Sequence, residues 1–413
     1  MTVIGAFRQQ LHPDRGIAIA QGLILLNLVA MTRAFALVNV IELTLWLLFL
    51  FNKTLRQRFV ESVKDPRIGL VMVFWAWIAL SMLWSPAPWP ERFDDWLSWR
   101  KLLLFPMAFS VFREDSAKRL VWWVLIGVAA GYMVMSWLGF LDVVTLDRAP
   151  QNLLENHATQ GIIFATAALC AASLFAEPDQ TLWKRIILAV LITGFVSNIL
   201  MILTGRSSYV FLLICAMGVG YLVCPRDRAI AVVTAFVLAG TGLAVSDTAR
   251  SRISQAIVEM QDAFTSEKYT SLGIRTVMWV NTIDVIKESP LLGSGAGGYS
   301  RMYAKVVETQ SDWRGLVTND PHQQYLHITA EYGLVALIIF LGAIGLIGCS
   351  RQSSAYVVVG LVVLAGTLVN GFANGHFATF VEGRLIWLML GTMLASSVMV
   401  QPFARKAAIH VPA

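Results

Sequence analysis

What most limits the fold of this chain is a succession of apolar runs, each about the length of a helix that crosses a bilayer. They fall at about twelve places: 16–33, 35–51, 68–84, 97–112, 120–144, 158–176, 186–203, 208–223, 229–246, 326–349, 355–373 and 385–402. Hydrophobic residues make up 57% of the 413 and charged residues only 14%, where a soluble domain carries about 25% charged. That excludes a water-soluble globule. Intrinsic disorder, which needs low hydrophobicity and high net charge, is excluded more firmly. The expectation is an all-α polytopic membrane protein with about twelve transmembrane helices, since backbone in lipid must satisfy its polar groups internally. The purely apolar part of the fourth run is short, Leu102 to Phe112.

The net charge of +6 does not indicate nucleic acid, because the basic residues gather in alternate connections between runs, as in cytoplasmic loops. With the N-terminus inside, Lys53, Arg56, Arg58, Lys64 and Arg67 share one inner segment, and Arg113, Lys118 and Arg119 another. The outer connections hold isolated cations: Arg33, Arg92, Arg100, Lys101, Arg148, Arg206 and Arg384. Both termini are then cytoplasmic, and the first run reads as a span, not a removed signal peptide. The expected division is 1–246 with spans one to nine, 247–325 as one large outer loop, and 326–413 with spans ten to twelve and the C-terminus. Cys170, Cys215, Cys224 and Cys349 have no metal-type spacing and suggest no disulfide framework.

The outer loop between the ninth and tenth spans is the most polar stretch and is expected to carry its own helices. Ile253, Ile257, Met260 and Phe264 form one apolar stripe at helical spacing. Arg275 to Ser289 reads as a second helix, ended by Pro290 and the glycines after it. Where the loop meets the tenth span, Asp320 reads as an N-cap, Pro321 as the first helical residue, and Gln323 as the partner in a capping box. His322 would sit in the first turn, where unpaired amides and the helix dipole disfavour imidazolium. A neutral imidazole there can act as a general base, although a histidine at a helix start is also a common interfacial residue. Tyr325 and Thr329 would share its face, and Gly333 would admit a neighbouring helix.

Arginines supply a second component. Arg206 lies in a short outer turn at membrane depth, where a guanidinium needs an anionic partner or a wet cavity. Arg275, Arg100 and Lys101 are the other outer cations near span ends. Each has two readings, a fork for phosphate oxygens or a side chain snorkelling to headgroups. Gly293 to Gly298 has the form GxGxxG, but it follows no strand and does not clearly open a helix. It is either an anion-cradling turn or a plain one. Asn374, His376, Glu382 and Arg384 crowd another outer loop, and His157 follows Glu155 and Asn156 at a third. Asp94 and Asp95 are the acids nearest the fourth run, but the first outer loop is a tight turn without an acid. No metal and no other cofactor is expected.

Two blocks resemble the O-antigen ligase and O-antigen polymerase superfamily of bacterial inner-membrane enzymes. One runs from Arg275 to Tyr299; the other is His322-Gln323, nine residues, then Gly333-Leu-Val. Ala336 stands where that pattern usually has glycine, threonine or tyrosine. The resemblance implies a metal-independent glycosyltransferase working at the periplasmic face of the inner membrane. Its donor would be a glycan on undecaprenyl pyrophosphate, and its acceptor a sugar hydroxyl of lipid A–core. His322 would be the base, and Arg206 and Arg275, with Arg100 and Lys101, would hold the donor pyrophosphate. Tyr299, Gln323, Tyr325 and His376 are candidate cavity residues. The alternatives are the polymerase, a protein O-oligosaccharyltransferase and, from another class, a polysaccharide flippase or exporter. Membrane lipids are expected partners and nucleic acid is not.

Overall fold

The computed structural model describes residues 11–261, 270–351 and 353–396. Among them every regular element is helical. In chain order these are α1 (Arg15–Ala30), α2 (Phe35–Phe51), α3 (Lys53–Val63), α4 (Pro66–Ser81) and α5 (Trp89–Ser98). A 3-10 turn (Trp99–Leu103) leads into α6 (Leu104–Val111), α7 (Asp115–Phe140), α8 (His157–Phe175), α9 (Leu182–Met201), α10 (Arg206–Val223) and α11 (Arg228–Val245). Then come α12 (Asp247–Gln261), α13 (Ser271–Glu288), α14 (Tyr299–Val307), α15 (Gln324–Gly348), α16 (Ala355–Asn370) and α17 (Val381–Leu394).

Among the described residues the apolar runs fall largely on helix, and α7 to α11 and α15 are long and apolar enough to cross a membrane. The chain is a multi-pass helical membrane protein. α8 is its axis, almost wholly buried against α7, α9 and α10. α11 is the opposite case, turning Ile230, Val233, Phe236 and Leu238 outward, as a lipid-facing helix must. The tight turn at Arg33 is present between α1 and α2. After α2 the chain bends by 96° into α3, a polar helix that the run pattern did not announce.

Two expectations need correction. The fourth run, 97–112, is not one α-helix but a 3-10 turn followed by eight α-helical residues. Pro106 has no amide to offer the carbonyl of Leu102. Arg100 and Lys101 are drawn sideways, the first to Glu42 and Asn39, the second to the carbonyls of Ala378 and Thr379. The tenth-span helix starts later than its sequence suggests. Its N-cap is Gln323, whose side chain accepts from the Leu326 amide at 2.6 Å. His322 has φ +53 and lies ahead of the helix. Asp320 caps its own turn instead, accepting the His322 amide at 2.7 Å.

The helices of the large loop also differ in detail. α12 carries Ile253 and Ile257 largely exposed; the Met260 side chain and Phe264 lie outside the described residues. α13 begins at Ser271, so Arg275 sits one turn inside it and not at its start. The glycine-rich turn does open a helix, α14, with Gly298 as its cap. Met278, Val285, Tyr299, Tyr303 and Val307 join Ala330 of α15 in a small core of their own. This core docks the loop on the membrane helices.

Candidate active site

The decisive local feature is a break in α15. Gly333 has φ 83 and ψ 171, far from helical values, and the atoms that come nearest to it are not those of a neighbouring helix. The turn after Pro290 enters instead, so close that a Cβ on Gly333 would lie 2.0 Å from the Leu291 carbonyl oxygen. The backbone groups that the break leaves without helical partners are met by this segment. Leu334 donates to the Pro290 carbonyl at 2.9 Å, Ser294 to that of Ala330 at 2.9 Å, and Gly295 to that of Glu331 at 2.7 Å. Non-helical backbone at membrane depth survives only when protein satisfies it in this way.

The amides of the glycine turn are therefore taken by the chain itself. Gly297 donates to Glu331 at 2.8 Å and to Asp95 at 3.2 Å, and Ala296 to Ser81 at 3.1 Å. The anion this turn cradles is internal. Asp95 also receives the Tyr332 hydroxyl at 2.8 Å, and Tyr332 receives the Trp99 indole at 2.9 Å. Burial, and then the Glu331 carboxylate beside it, push the Asp95 carboxyl well above its ordinary range.

Just above the break, the Trp279 indole of α13 holds the Pro321 carbonyl at 3.0 Å, and the Gln324 amide donates to the Gly371 carbonyl at 2.8 Å. These contacts and the Asp320 cap fix His322 in the left-handed region, a conformation costing of order 1–3 kcal/mol that persists where the surroundings impose it. Its imidazole is half-exposed, with Nδ1 3.6 Å from Asp320 Oδ2. Burial draws the His322 pKa below its ordinary value; Asp320 opposes this, while Arg275 and His327 reinforce it. The expected neutral base is thus neutral through burial and neighbouring cations, not through a helix dipole. Tyr325 is helical while His322 is not, so the two do not share a helix face as expected.

Arg275, whose charge acts on His322, also lines a pocket of about 280 Å³ together with His157, Arg206, Ser207, Arg252, Glu259 and Asn374. It exists because α8 and α10 start side by side. Gly161 leaves room for Ser208, whose hydroxyl donates to the His157 carbonyl at 3.1 Å, and Gly205 leaves room for the His157 ring. Arg206 opens α10 and pairs with Glu259 of α12 at 3.1 Å. Arg275 is drawn below its ordinary pKa by burial and then by Arg206. Among the described residues no hydrogen-bond acceptor meets its guanidinium. A pocket holding three arginines and one carboxylate suits an oligo-anion, since guanidinium forks match phosphate oxygens.

The structure brings together His322, Arg206 and Arg275, and leaves the other candidates elsewhere. Arg100 and Lys101 are tied to the partners described above, away from this pocket. Tyr299 is buried, its hydroxyl 2.8 Å from that of Thr282. Gln323 is a cap, and Tyr325 donates to the Leu368 carbonyl at 2.6 Å. His376 is buried 3.7 Å from Glu382, a carboxylate that also receives the Thr159 and Thr379 hydroxyls. Sequence reasoning missed Arg252 and Glu259, seven residues apart on α12, and His327 with Glu331. The signal for the latter pair was two ionisable residues at i, i+4 in an apolar helix.

The O-antigen ligase family model matches residues 188–341, a stretch that holds Arg206, Arg275, His322 and Gly333. That match, over less than half of the chain, supports the O-antigen ligase superfamily for this stretch. An uncharacterized protein of Haemophilus influenzae is 34% identical over 77 residues, a match that takes in 18% of this chain and 19% of the relative.

Proposed function

We propose that this protein is an O-antigen ligase, moving a glycan from undecaprenyl pyrophosphate to a sugar hydroxyl of lipid A–core at the periplasmic face of the inner membrane. The observation that carries the reading is a strained, neutral histidine under the charge of Arg275, which lines a pocket with two further arginines. The acceptor hydroxyl gives its proton to His322 Nε2, the nitrogen turned from Asp320, as its oxygen bonds the anomeric carbon. The bond from that carbon to the phosphate oxygen breaks, and the electron pair leaves on the pyrophosphate. Arg206, Arg252 and Arg275 stabilise that charge. Attack opposite the leaving group inverts the anomeric centre. A second feature agrees with a polyprenyl donor. α10 and α16 carry polar ends at this pocket, where Asn370 and Asn374 bond Ser207. Along their length lies an apolar groove of about 370 Å³, lined by Ile214, Gly218, Val362 and Ala365 among others.

The test is transfer by purified protein from undecaprenyl-pyrophosphate glycan to lipid A–core in EDTA, read as a lipopolysaccharide ladder. Wild type should give the ladder, and His322→Ala should lose roughly 10²–10⁴-fold in rate. Lengthening of the lipid-linked glycan with lipid A–core untouched would make the protein a polymerase. Transfer only to a protein acceptor would make it an oligosaccharyltransferase. A His322→Ala variant that retains full function would point to a flippase or exporter.

A further inference from the structure

We propose that Asp320 and His327 are positioning residues for His322, Asp320 holding the imidazole and His327, fixed by Glu331, holding Asp320. This rests on the reading of His322 as the base. The two oxygens of Asp320 have separate roles. Oδ1 accepts the His322 amide at 2.7 Å, and Oδ2 stands 3.6 Å from Nδ1. The second distance exceeds a hydrogen bond, but catalytic contacts commonly close only once substrate is bound and charge develops. Behind Asp320 stands His327, with Nδ1 4.0 Å from Oδ1. On its other side, His327 Nε2 is 2.9 Å from Glu331 Oε2. Glu331 is itself immobile: its side chain accepts the Gly297 amide, and its carbonyl accepts that of Gly295 in the helix break. The Tyr299 ring closes the His327 ring in, at 5.3 Å between centroids.

A buried carboxylate such as Glu331 needs a compensating partner, and an imidazolium at 2.9 Å supplies one. That cation then faces Asp320 and keeps it aligned, so that Asp320 can stabilise the charge His322 acquires. His322 is faced by Asp320 from its own segment, Arg275 from α13 and His327 from α15. His327 is faced by Asp320, by Glu331 and by Asp95 from α5. The glycine turn, the break at Gly333 and the buried acids thereby share one purpose, a rigid seat for the base.

The experiment is the pH profile of kcat/KM for glycan transfer by the full chain, whose acid limb reports the base in the free enzyme. Asp320→Asn should lower kcat on the order of 10²-fold and move the acid limb to lower pH, because it removes the anion that favours imidazolium. His327→Gln should also lower kcat but move the limb to higher pH, because it removes a cation. Donor KM should hold in both, the pocket arginines being untouched. An acid limb that vanishes in His322→Ala but stays in place in both variants overturns this inference alone. A limb that survives His322→Ala overturns the base itself, and this inference with it. Should His327→Gln not fold, the half-exposed Asp320 carries the test by itself, and an unmoved limb in Asp320→Asn is sufficient refutation.

Discussion

Two arginine clusters in this molecule invite comparison. Inside the helix bundle, Arg384 places Nε 2.5 Å from one oxygen of Glu42 and Nη2 3.0 Å from the other. Its remaining nitrogen reaches the Phe380 carbonyl at 2.8 Å. Arg100 approaches the same carboxylate from the rim and finds Asn39 and the Leu97 carbonyl besides. At the other pocket, Arg206 meets Glu259 and the Arg252 carbonyl, each at 3.1 Å, Arg252 meets Gln255 at 3.2 Å, and Arg275 meets no acceptor among the described residues. The first cluster is saturated by the protein and holds helices together. The second has donors to spare, as a site for a charged ligand requires. What separates a structural arginine from a binding one here is the inventory of acceptors around it, not the depth at which it lies.

Substitutions can break that comparison. The largest expected effect is that of Arg384→Ala, which takes from buried Glu42 its two-bond partner and leaves it only Arg100 at 3.1 Å. It should cost about 3 kcal/mol of stability, the lower end for a broken buried pair, read as loss of thermal stability in detergent. Unchanged stability would mean that the inner cluster is not structural. Next, Arg275→Ala should weaken inorganic pyrophosphate binding by about 1.5–3 kcal/mol, the value of hydrogen bonds to a charged group. Calorimetry should detect this while the melting temperature stays near wild type. Equal pyrophosphate affinity in the variant would remove Arg275 from the site. Arg100→Ala leaves the Arg384–Glu42 pair intact and its own guanidinium is a quarter exposed, so the loss should be about 1 kcal/mol or less, with pyrophosphate binding unaffected. The smallest effect is in pH. Since burial and two cations draw the His322 pKa below its ordinary value, transfer should rise with pH, with a midpoint below the ordinary histidine value of about 6.5. A midpoint above that value would contradict a neutral base.

Much of this was legible in the residues. Long apolar runs have one way to satisfy their amides in lipid, so their helical fate follows from composition and length. The histidine motif and the Gly-rich block both fall where the backbone leaves regular helix, at His322 and at Gly293 to Gly298. The helix start at Gln323 was not legible, since Asp320, Pro321 and Gln323 make a plausible cap in isolation. Only contacts from Trp279 and Gly371 stop the helix short of His322. Gly333 was legible as a place of close approach but not as a break, because the segment that fills it comes from the loop some forty residues earlier.

By itself the sequence determined the class of fold and singled out the histidine and the two arginines on which the proposed chemistry rests. Local propensity and solvent partition settle those, and both act over a few turns of chain. The tertiary structure alone decided which cations face a common pocket, which are neutralised by Glu42, and how Asp320, His327 and Glu331 line up behind His322. The first two outcomes depend on distances between residues far apart in the chain, and the third on the turn that contacts from Trp279 and Gly371 impose ahead of the helix. Electrostatics and hydrogen bonding respond to distance in space, which no pattern along one strand of sequence records.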